Sequence, residues 1–271
     1  MRVLLLGTGT CLNPPPGAVP RHPPLFAVEL SSDPASPRWL LFDCSEGARL
    51  RLPGAGIDPS WVRYIALSHP HADHAALPQF LQGRACEAIF RQTPDLDLTL
   101  LLHPEPARAL PDLWRWHQPE DEGRPSSRFP LDVRPVDDGD ALDLEPGVRL
   151  SAHRVHHGHG RSPALAFRLD VRGQVIAYSG DTGPCPGALA AARNADLFLC
   201  EASCEIGRDM SAYGHLTPAQ AGAIALEAGA QRLVLTHYTG LSPDRALLDD
   251  ARSSGYAGAL SVGHDGDDLR F

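Results

Sequence analysis

Apolar runs of single-strand length, separated by turn residues, recur along the chain as RVLLLG, LFAVEL, WLLFDC, YIALSH, LTLLLH, VRLSAHRV, ALAFRL, QVIAYSG, LFLCEA, RLVLTH and ALSVG. Their length and their Gly, Pro, Asp and Ser flanks predict strands. Helical spacing is clearest over residues 217–229, where Thr217 can cap, Pro218 suits the first turn and Gly229 ends the pattern. Two shorter helices are expected within ADHAALPQFLQG and PCPGALAAARNA. Strands dominate the first two thirds and alternate with helices later. This order favours two packed mixed sheets with helices on their outer faces over a doubly wound parallel sheet. The segment 117–130 is polar and aperiodic, and reads as a surface loop or flap rather than a linker.

Several strands end in a potential ligand: Asp43 follows LLF, His69 follows IALS, Asp181 follows AYSG and His237 follows LVLT. Loops at one edge of a rigid sheet converge their polar residues on a common site. The Gly7-x-Gly9 pair near the start is no dinucleotide loop, because Leu12 stands where the third glycine belongs and the prolines after it forbid a helix.

Composition narrows the chemistry. Apolar residues make up 43% and charged residues 21% of 271, a globular balance, with 26 prolines and 25 glycines foretelling many loops. All 24 basic residues are arginine, so a Schiff base, a pyridoxal attachment and a phosphate-binding lysine are excluded. The net charge of −9 argues against broad electrostatic capture of nucleic acid. No apolar run is long enough for a signal-peptide core or a membrane span, which leads us to expect a cytoplasmic protein with no membrane partner. The six cysteines lack C-x-x-C spacing and read as reduced packing residues.

SHPHADH places His69, His71, Asp73 and His74 within six residues, directly after a strand. Alternation in an extended turn points His69 and His71 one way, while Asp73 and His74 fall on the next turn and can face a second ion. Imidazole with carboxylate suits zinc or a similar borderline metal.

This H-x-H-x-D-H box resembles that of the metallo-β-lactamase superfamily. The likeness extends through LLFDCSEGARLRL, AGIDPSWVRYIALSHPHADHAALP, VIAYSGDT, LFLCEAS and GHLTPAQAGAIALEAGAQRLVLTH, which are similar, in order, to motifs of the ribonuclease Z branch. It implies a four-layer αββα sandwich formed by one hydrolase domain over residues 1–271. It also implies two divalent metal ions, zinc or else manganese. One would be held by His69, His71 and a later histidine, the other by Asp73, His74 and His237, with Asp181 bridging. Asp43 and Glu46 are expected to brace the box.

The later histidine falls in RVHHGHGR. The branch pattern, a strand ending V-x-H with a small residue after it and a following strand ending Phe-Arg, selects His157. Strand alternation agrees, since Val155 and His157 share a direction and His156 points away. The interval to Phe167-Arg168 is longer than the branch's, so His159 stays a rival and chelation by both stays open. His215, just before the capped helix, matches a histidine that protonates the leaving oxygen, oriented by a glutamate matching Glu201. Asp73, His215 and Glu201 are the expected catalytic residues. The plainer role for His215 would be a backbone contact at the helix entry.

The expected activity is phosphodiester hydrolysis by a metal-bridging hydroxide. Only LDVRGQVIAYS separates Arg168 from Gly180, where many relatives insert an arm that grips transfer RNA, and YTGLSP after His237 lacks the branch's arginine–tyrosine pair. A small-molecule or nucleotide phosphodiester is therefore expected over structured transfer RNA. The resemblance also admits a homodimer. Two alternatives remain: carbon-ester, thioester or lactone hydrolysis on the same metals, and a non-hydrolytic metal-binding accessory protein in cofactor biosynthesis.

Overall fold

The computed structural model describes residues 1–12, 20–31, 33, 35–91, 97–117, 131–204 and 206–270. Among them, β1 (Arg2–Gly7), β2 (Leu25–Glu29), β3 (Trp39–Phe42), β4 (Val62–Ala66), β5 (Leu98–Leu102), β6 (Leu131–Pro135) and β14 (Asp267–Arg270) form one seven-stranded sheet in the order β14-β1-β2-β3-β4-β5-β6. The second sheet is built from β7 (Ala141–Glu145), β8 (Val148–Arg154), β9 (Leu165–Val171), β10 (Gln174–Tyr178), β11 (Leu197–Glu201), β12 (Arg232–Thr236) and β13 (Ala259–Val262), in the order β13-β12-β11-β10-β9-β8-β7. Each sheet is mixed. Pairing is parallel from β3 to β6 and from β10 to β13, and antiparallel elsewhere.

Three apolar layers hold the four structural layers together. Between the sheets lie Val3, Leu5, Phe26, Phe42, Leu150, Phe167, Leu169, Tyr178 and Leu199, all buried. Phe42 of the first sheet stacks on Phe167 of the second at 6.1 Å, and Phe26 meets Tyr178 edge-on at 5.2 Å. The outer face of the first sheet packs on helices α1 (Ala48–Gly54), α2 (Leu77–Arg91) and α3 (Pro104–His117) through Leu52, Phe80, Leu81, Leu110 and Trp114. The outer face of the second packs on α4 (Pro186–Ala192), α5 (Pro218–Ala228) and α6 (Asp244–Ser253), largely through alanines. Small residues there let the helices sit close. A Cβ on Gly187 would lie 1.9 Å from the Arg154 carbonyl, so glycine is what permits α4 to rest on β8.

The expected sandwich is the observed fold. The capped helix is α5: the Thr217 hydroxyl accepts from the Gln220 amide, the Gln220 side chain accepts from the Thr217 amide, and Gly229 closes the helix at φ 68°. The helix expected from Ala72 instead starts at Leu77, because residues 72–74 form the turn that carries the histidine box. The sequence pattern did not reveal α3, whose prolines at 104, 106 and 111 mask an inward face of Ala107, Leu110 and Trp114. Trp114 is buried, whereas Trp116 is exposed. The loop expected at 117–130 lies outside the described residues except for His117, which ends α3. No helix among the described residues is long and apolar enough to cross a membrane.

Parallel pairing gives the sandwich one functional edge. In both sheets the carboxyl ends of neighbouring strands open there, and the polar residues that come after them gather on it.

Because the Phe42–Phe167 stack joins the sheets at their centre, Phe167→Ala should cost about 3–5 kcal/mol of stability in urea denaturation. A loss below about 1 kcal/mol would show that the sheets do not depend on it.

Candidate metal centre

The carboxyl ends of β4, β10 and β12 and the segment after β8 bring His69, His71, Asp73, His74, His157, Asp181 and His237 to one place. Candidate ligand atoms within 4.8 Å of one another group as His69, His71 and His157; as Asp73, His74 and His237; as His69, His74 and Asp181; and, with His215, as His157, Asp181 and His215 and as Glu201, His215 and His237. Asp181 lies between the first two groups. Its carboxylate is 3.7 Å from His69 Nε2, 3.9 Å from His157 Nε2 and 3.4 Å from His74 Nε2. The Asp73 carboxylate is 3.8 Å from His74 Nε2 and 3.7 Å from His237 Nε2.

Hydrogen bonds behind the rings fix which nitrogen faces the centre. His74 Nδ1 donates to Asp43 Oδ2 (2.7 Å), His157 Nδ1 to the Gly214 carbonyl (2.9 Å) and His69 Nδ1 to Ser68 Oγ (3.0 Å). His237 Nδ1 donates to Ser203 Oγ (2.6 Å), whose own proton goes to Glu201 Oε2 (2.6 Å). These four imidazoles are thereby left with an Nε2 lone pair turned inward.

The inward atoms suit a cation. His69 Nε2 and Asp181 Oδ1 are buried and lack a hydrogen-bond partner, an arrangement that is costly unless something else satisfies them. His74 Nε2 and His237 Nε2 face each other at 3.3 Å, as do His157 Nε2 and His71 Nδ1 at 3.2 Å. Nitrogens bound at the usual zinc distance in a tetrahedron are separated by about 3.3 Å. Imidazole nitrogens and carboxylate oxygens are also the donor set that zinc and its neighbours accept. The residues present therefore fit divalent metal ions.

The electrostatics agree. Burial pushes the pKa of His69 well below the imidazole range and lowers that of His157, favouring the neutral ligand form. Burial also opposes charge on His74, but Asp181 and Asp43 override it and hold its pKa well above that range. The same two carboxylates would hold a cation in place of that proton. Burial works against ionised Asp181 as well, yet His237, His74 and His69 keep its pKa well below the carboxylate range.

Backbone strain marks two positions. Asp43 follows β3 at φ 61° and His237 follows β12 at φ 50°, both left-handed and neither glycine. Asp43 is buried and bonded to His74 and Ser68, so it does brace the box. Glu46 does not. It is exposed, and it contributes its backbone carbonyl, which accepts from the Arg51 guanidinium.

His215 stands beside the candidate ligands. Its Nδ1 donates to Glu201 Oε1 at 3.0 Å. Glu201 is buried and also accepts from the Thr182 amide (2.7 Å), the Ser203 amide (3.1 Å) and the Leu216 amide (3.3 Å). Burial would depress the pKa of His215, but the Glu201 charge and hydrogen bond raise it to about 9.

In RVHHGHGR the structure separates the three histidines. His157 is buried within the ligand group, while His156 Nε2 and His159 Nδ1 approach the Ala212 carbonyl at 3.4 and 3.1 Å. A cleft of about 370 Å³ opens over the centre, lined by His71, Asp73, His157, Asp181, His215 and His237, of which His157, Asp181 and His237 are buried, and by Tyr213, Arg208 and Leu12, the last two exposed. Sequence reasoning did not single out Ser68, Tyr178 or Ser203. Ser68 and Ser203 each stand next to or near a site residue in sequence, but Tyr178 sits in an apolar strand that offered no signal.

A family model described as "Beta-lactamase superfamily domain" matches residues 38–238. Ribonuclease BN of Escherichia coli is 27% identical over 297 residues, an alignment covering 93% of this chain and 95% of that protein. The metallo-beta-lactamase fold protein YhfI from Bacillus subtilis superposes with a TM-score of 0.80 at 19% identity, covering 99% of this chain and 98% of the other. The short form of human tRNase Z superposes with a TM-score of 0.72 at 21% identity, covering 100% and 99%. The chain thus belongs to the β-lactamase superfamily, with the fold of the metallo-beta-lactamase fold protein YhfI and of the short human tRNase Z.

Proposed function

We propose that the protein is a dinuclear metal-dependent phosphodiesterase acting on a small or nucleotide phosphodiester. The observation that carries this reading is the His215–Glu201 pair, a proton-bearing imidazole held beside two candidate ligand groups that share Asp181. Ester hydrolysis with a good leaving group needs no such acid, but a departing alkoxide does. The ribonuclease names of the relatives support phosphodiester chemistry, and the reading that the substrate is small rests on this chain. Its β9–β10 connection is a tight turn at Arg172-Gly173 with no arm, and the cleft has the volume of a small-molecule pocket.

In this reading His69, His71 and His157 hold one divalent ion and Asp73, His74 and His237 the other, with Asp181 shared. Zinc is the favoured metal, with manganese as the other fit. Bound there, such ions would lower the pKa of water and offset charge on phosphoryl oxygens. The residues around them do the rest. Asp43, Ser68, Gly214 and Ser203 keep the imidazole lone pairs aimed inward, so the ligands need not reorganise. His215 Nδ1 is committed to Glu201, which leaves its other ring nitrogen facing the cleft. As the phosphorus–oxygen bond to the leaving group breaks, that N–H passes its proton to the departing oxygen, and Glu201 prepares the next cycle by favouring reprotonation.

Metal analysis checks the ligand assignment. After reconstitution the wild type and His159→Ala should hold about two equivalents and His157→Ala about one, whereas a wild type that never exceeds one equivalent would end the dinuclear reading.

Replacing the acid should be felt in the rate. His215→Ala should lower kcat for a dinucleotide by about 10²–10⁴-fold and leave thioester turnover, if any, little changed. Wild-type kcat/KM should fall as pH rises through about 9, where His215 loses its proton, and this alkaline limb should vanish in the variant. Unchanged dinucleotide rates in His215→Ala would remove His215 from the mechanism.

A further inference from the structure

The wall of the cleft carries one feature that the hydrolytic step does not use. Beside the candidate ligands, the segment 206–215 contributes Arg208, Met210, Tyr213 and His215 to the lining of the cleft. Arg208 is the one arginine among the described residues lining the cleft, in a chain that has no lysine to offer instead. It is exposed and follows Gly207, whose φ of 81° sets the turn. The nearest described carboxylate in sequence, Asp209, is engaged elsewhere, since it accepts from both the amide (2.8 Å) and the hydroxyl of Ser211. Among the described residues, Arg208 has no ion-pair or hydrogen-bond partner.

The segment bearing Arg208 is anchored rather than loose. His159 N donates to the Tyr213 carbonyl at 2.8 Å, the His156 and His159 rings both approach the Ala212 carbonyl, and Gln220 Nε2 donates to Ser211 Oγ at 2.7 Å. Gly214 fits against the backbone of His156 and His157 with no room for a side chain, since a Cβ would come within 2.4 Å of His157 Cα. The Tyr213 ring stacks on His215 at 5.5 Å, which ties the segment to the proton donor.

A guanidinium without a partner among the described residues, exposed on a cleft whose buried part would be filled by cations and their ligands, is placed to meet an anion. Its fork matches a phosphate or carboxylate in a bidentate fashion. Because the scissile group must reach the buried candidate ligands, the group that meets the exposed Arg208 is a second one. We propose that Arg208 is a specificity residue that recognises a second anionic group on the substrate, so that the preferred substrates are phosphodiesters bearing a further phosphate, such as a 5′-phosphorylated dinucleotide. Leu12, Met210 and Leu241 offer apolar surface on the same cleft for the organic part between the two charges. This inference rests on the phosphodiesterase reading for its substrate, but not for its binding chemistry.

The test compares thymidylyl-thymidine with and without a 5′-phosphate, and pairs turnover with calorimetric binding of thymidine 3′,5′-bisphosphate and thymidine 5′-monophosphate to zinc-reconstituted protein. The wild type should favour the phosphorylated dinucleotide by about tenfold or more in kcat/KM, chiefly through KM, and bind the bisphosphate more tightly than the monophosphate by a similar factor. In Arg208→Ala both preferences should shrink to about twofold or less, and Arg208→Lys should restore part of them as a point charge without the fork. No preference in the wild type, or an equal loss for both members of each pair in Arg208→Ala, overturns the proposal, the latter by placing Arg208 on the scissile phosphate or in the fold. Binding preference through Arg208 with neither dinucleotide hydrolysed would sustain the anion site and sink the phosphodiesterase reading. Hydrolysis of both without preference would do the reverse.

Discussion

One buried carboxylate sets the geometry of the whole site. Asp43 ends the turn after β3 in the left-handed region, fully shielded from solvent, and accepts four hydrogen bonds: from the Ser68 amide, the Ser68 hydroxyl, the Tyr178 hydroxyl and His74 Nδ1. Those donors come from both sheets, since Ser68 follows β4 and Tyr178 closes β10. The bond to His74 fixes its tautomer directly. The bond to Ser68 does the same for His69, one hydroxyl further on. Charge-assisted bonds of this kind are roughly twice as strong as neutral ones, and removing the acceptor would leave several buried donors unpaired at once. The strained backbone of Asp43 is therefore held in place by the interactions that the strain makes available.

The second sheet repeats the device. Glu201 ends β11 as Asp43 follows β3, is equally buried, and gathers donors from Thr182, Ser203, Leu216 and His215. Through Ser203 it reaches His237, the other left-handed residue of the site. The two sheets thus each bring a buried carboxylate that orients imidazoles. The roles differ because of what each imidazole faces. Those held by Asp43 look into the ligand cluster, whereas His215, held by Glu201, looks into the open cleft.

Much of this was legible in the sequence because short, nearly continuous apolar runs with ligands at their ends are a local signal. The histidine box, Asp181, His237 and the capped α5 could be placed from spacing alone or from the resemblance it supported. What was hidden depends on contacts across the sandwich. Tyr178 reads as one more apolar strand residue until β10 is laid against β3, when its hydroxyl meets Asp43. Ser68 and Ser203 are chemically ordinary, and only the fold gives their hydroxyls their partners, Asp43 and His69 for the one and Glu201 and His237 for the other. Glu46 misled for the opposite reason: its motif position suggested bracing, but the turn points it to solvent. Helix α3 stayed concealed because proline is normally a helix breaker: Pro104 and Pro106 sit in its first turn, where proline is tolerated, but Pro111 lies inside it at an exposed position.

The histidine motif after β8 shows how backbone handedness, rather than residue type, separates three chemically equal side chains. His157 is extended, at φ −141° and ψ 155°, so it continues the alternation that began at Val155 and turns inward with it. Gly158, His159 and Gly160 then take φ values of 56°, 57° and 72°. A run of three left-handed residues reverses the chain, and the two glycines make that reversal inexpensive on either side of a histidine that must adopt it too. His159 is consequently carried out of the ligand cluster and onto the Ala212 carbonyl, where His156 arrives from the other face of the strand. The alternation fixes one buried imidazole in the lining of the cleft and leaves its two neighbours to hold the segment that carries His215. Without the glycines the chain would run on extended past His157, and His159 would fall on the same side as His157 by the same period of two.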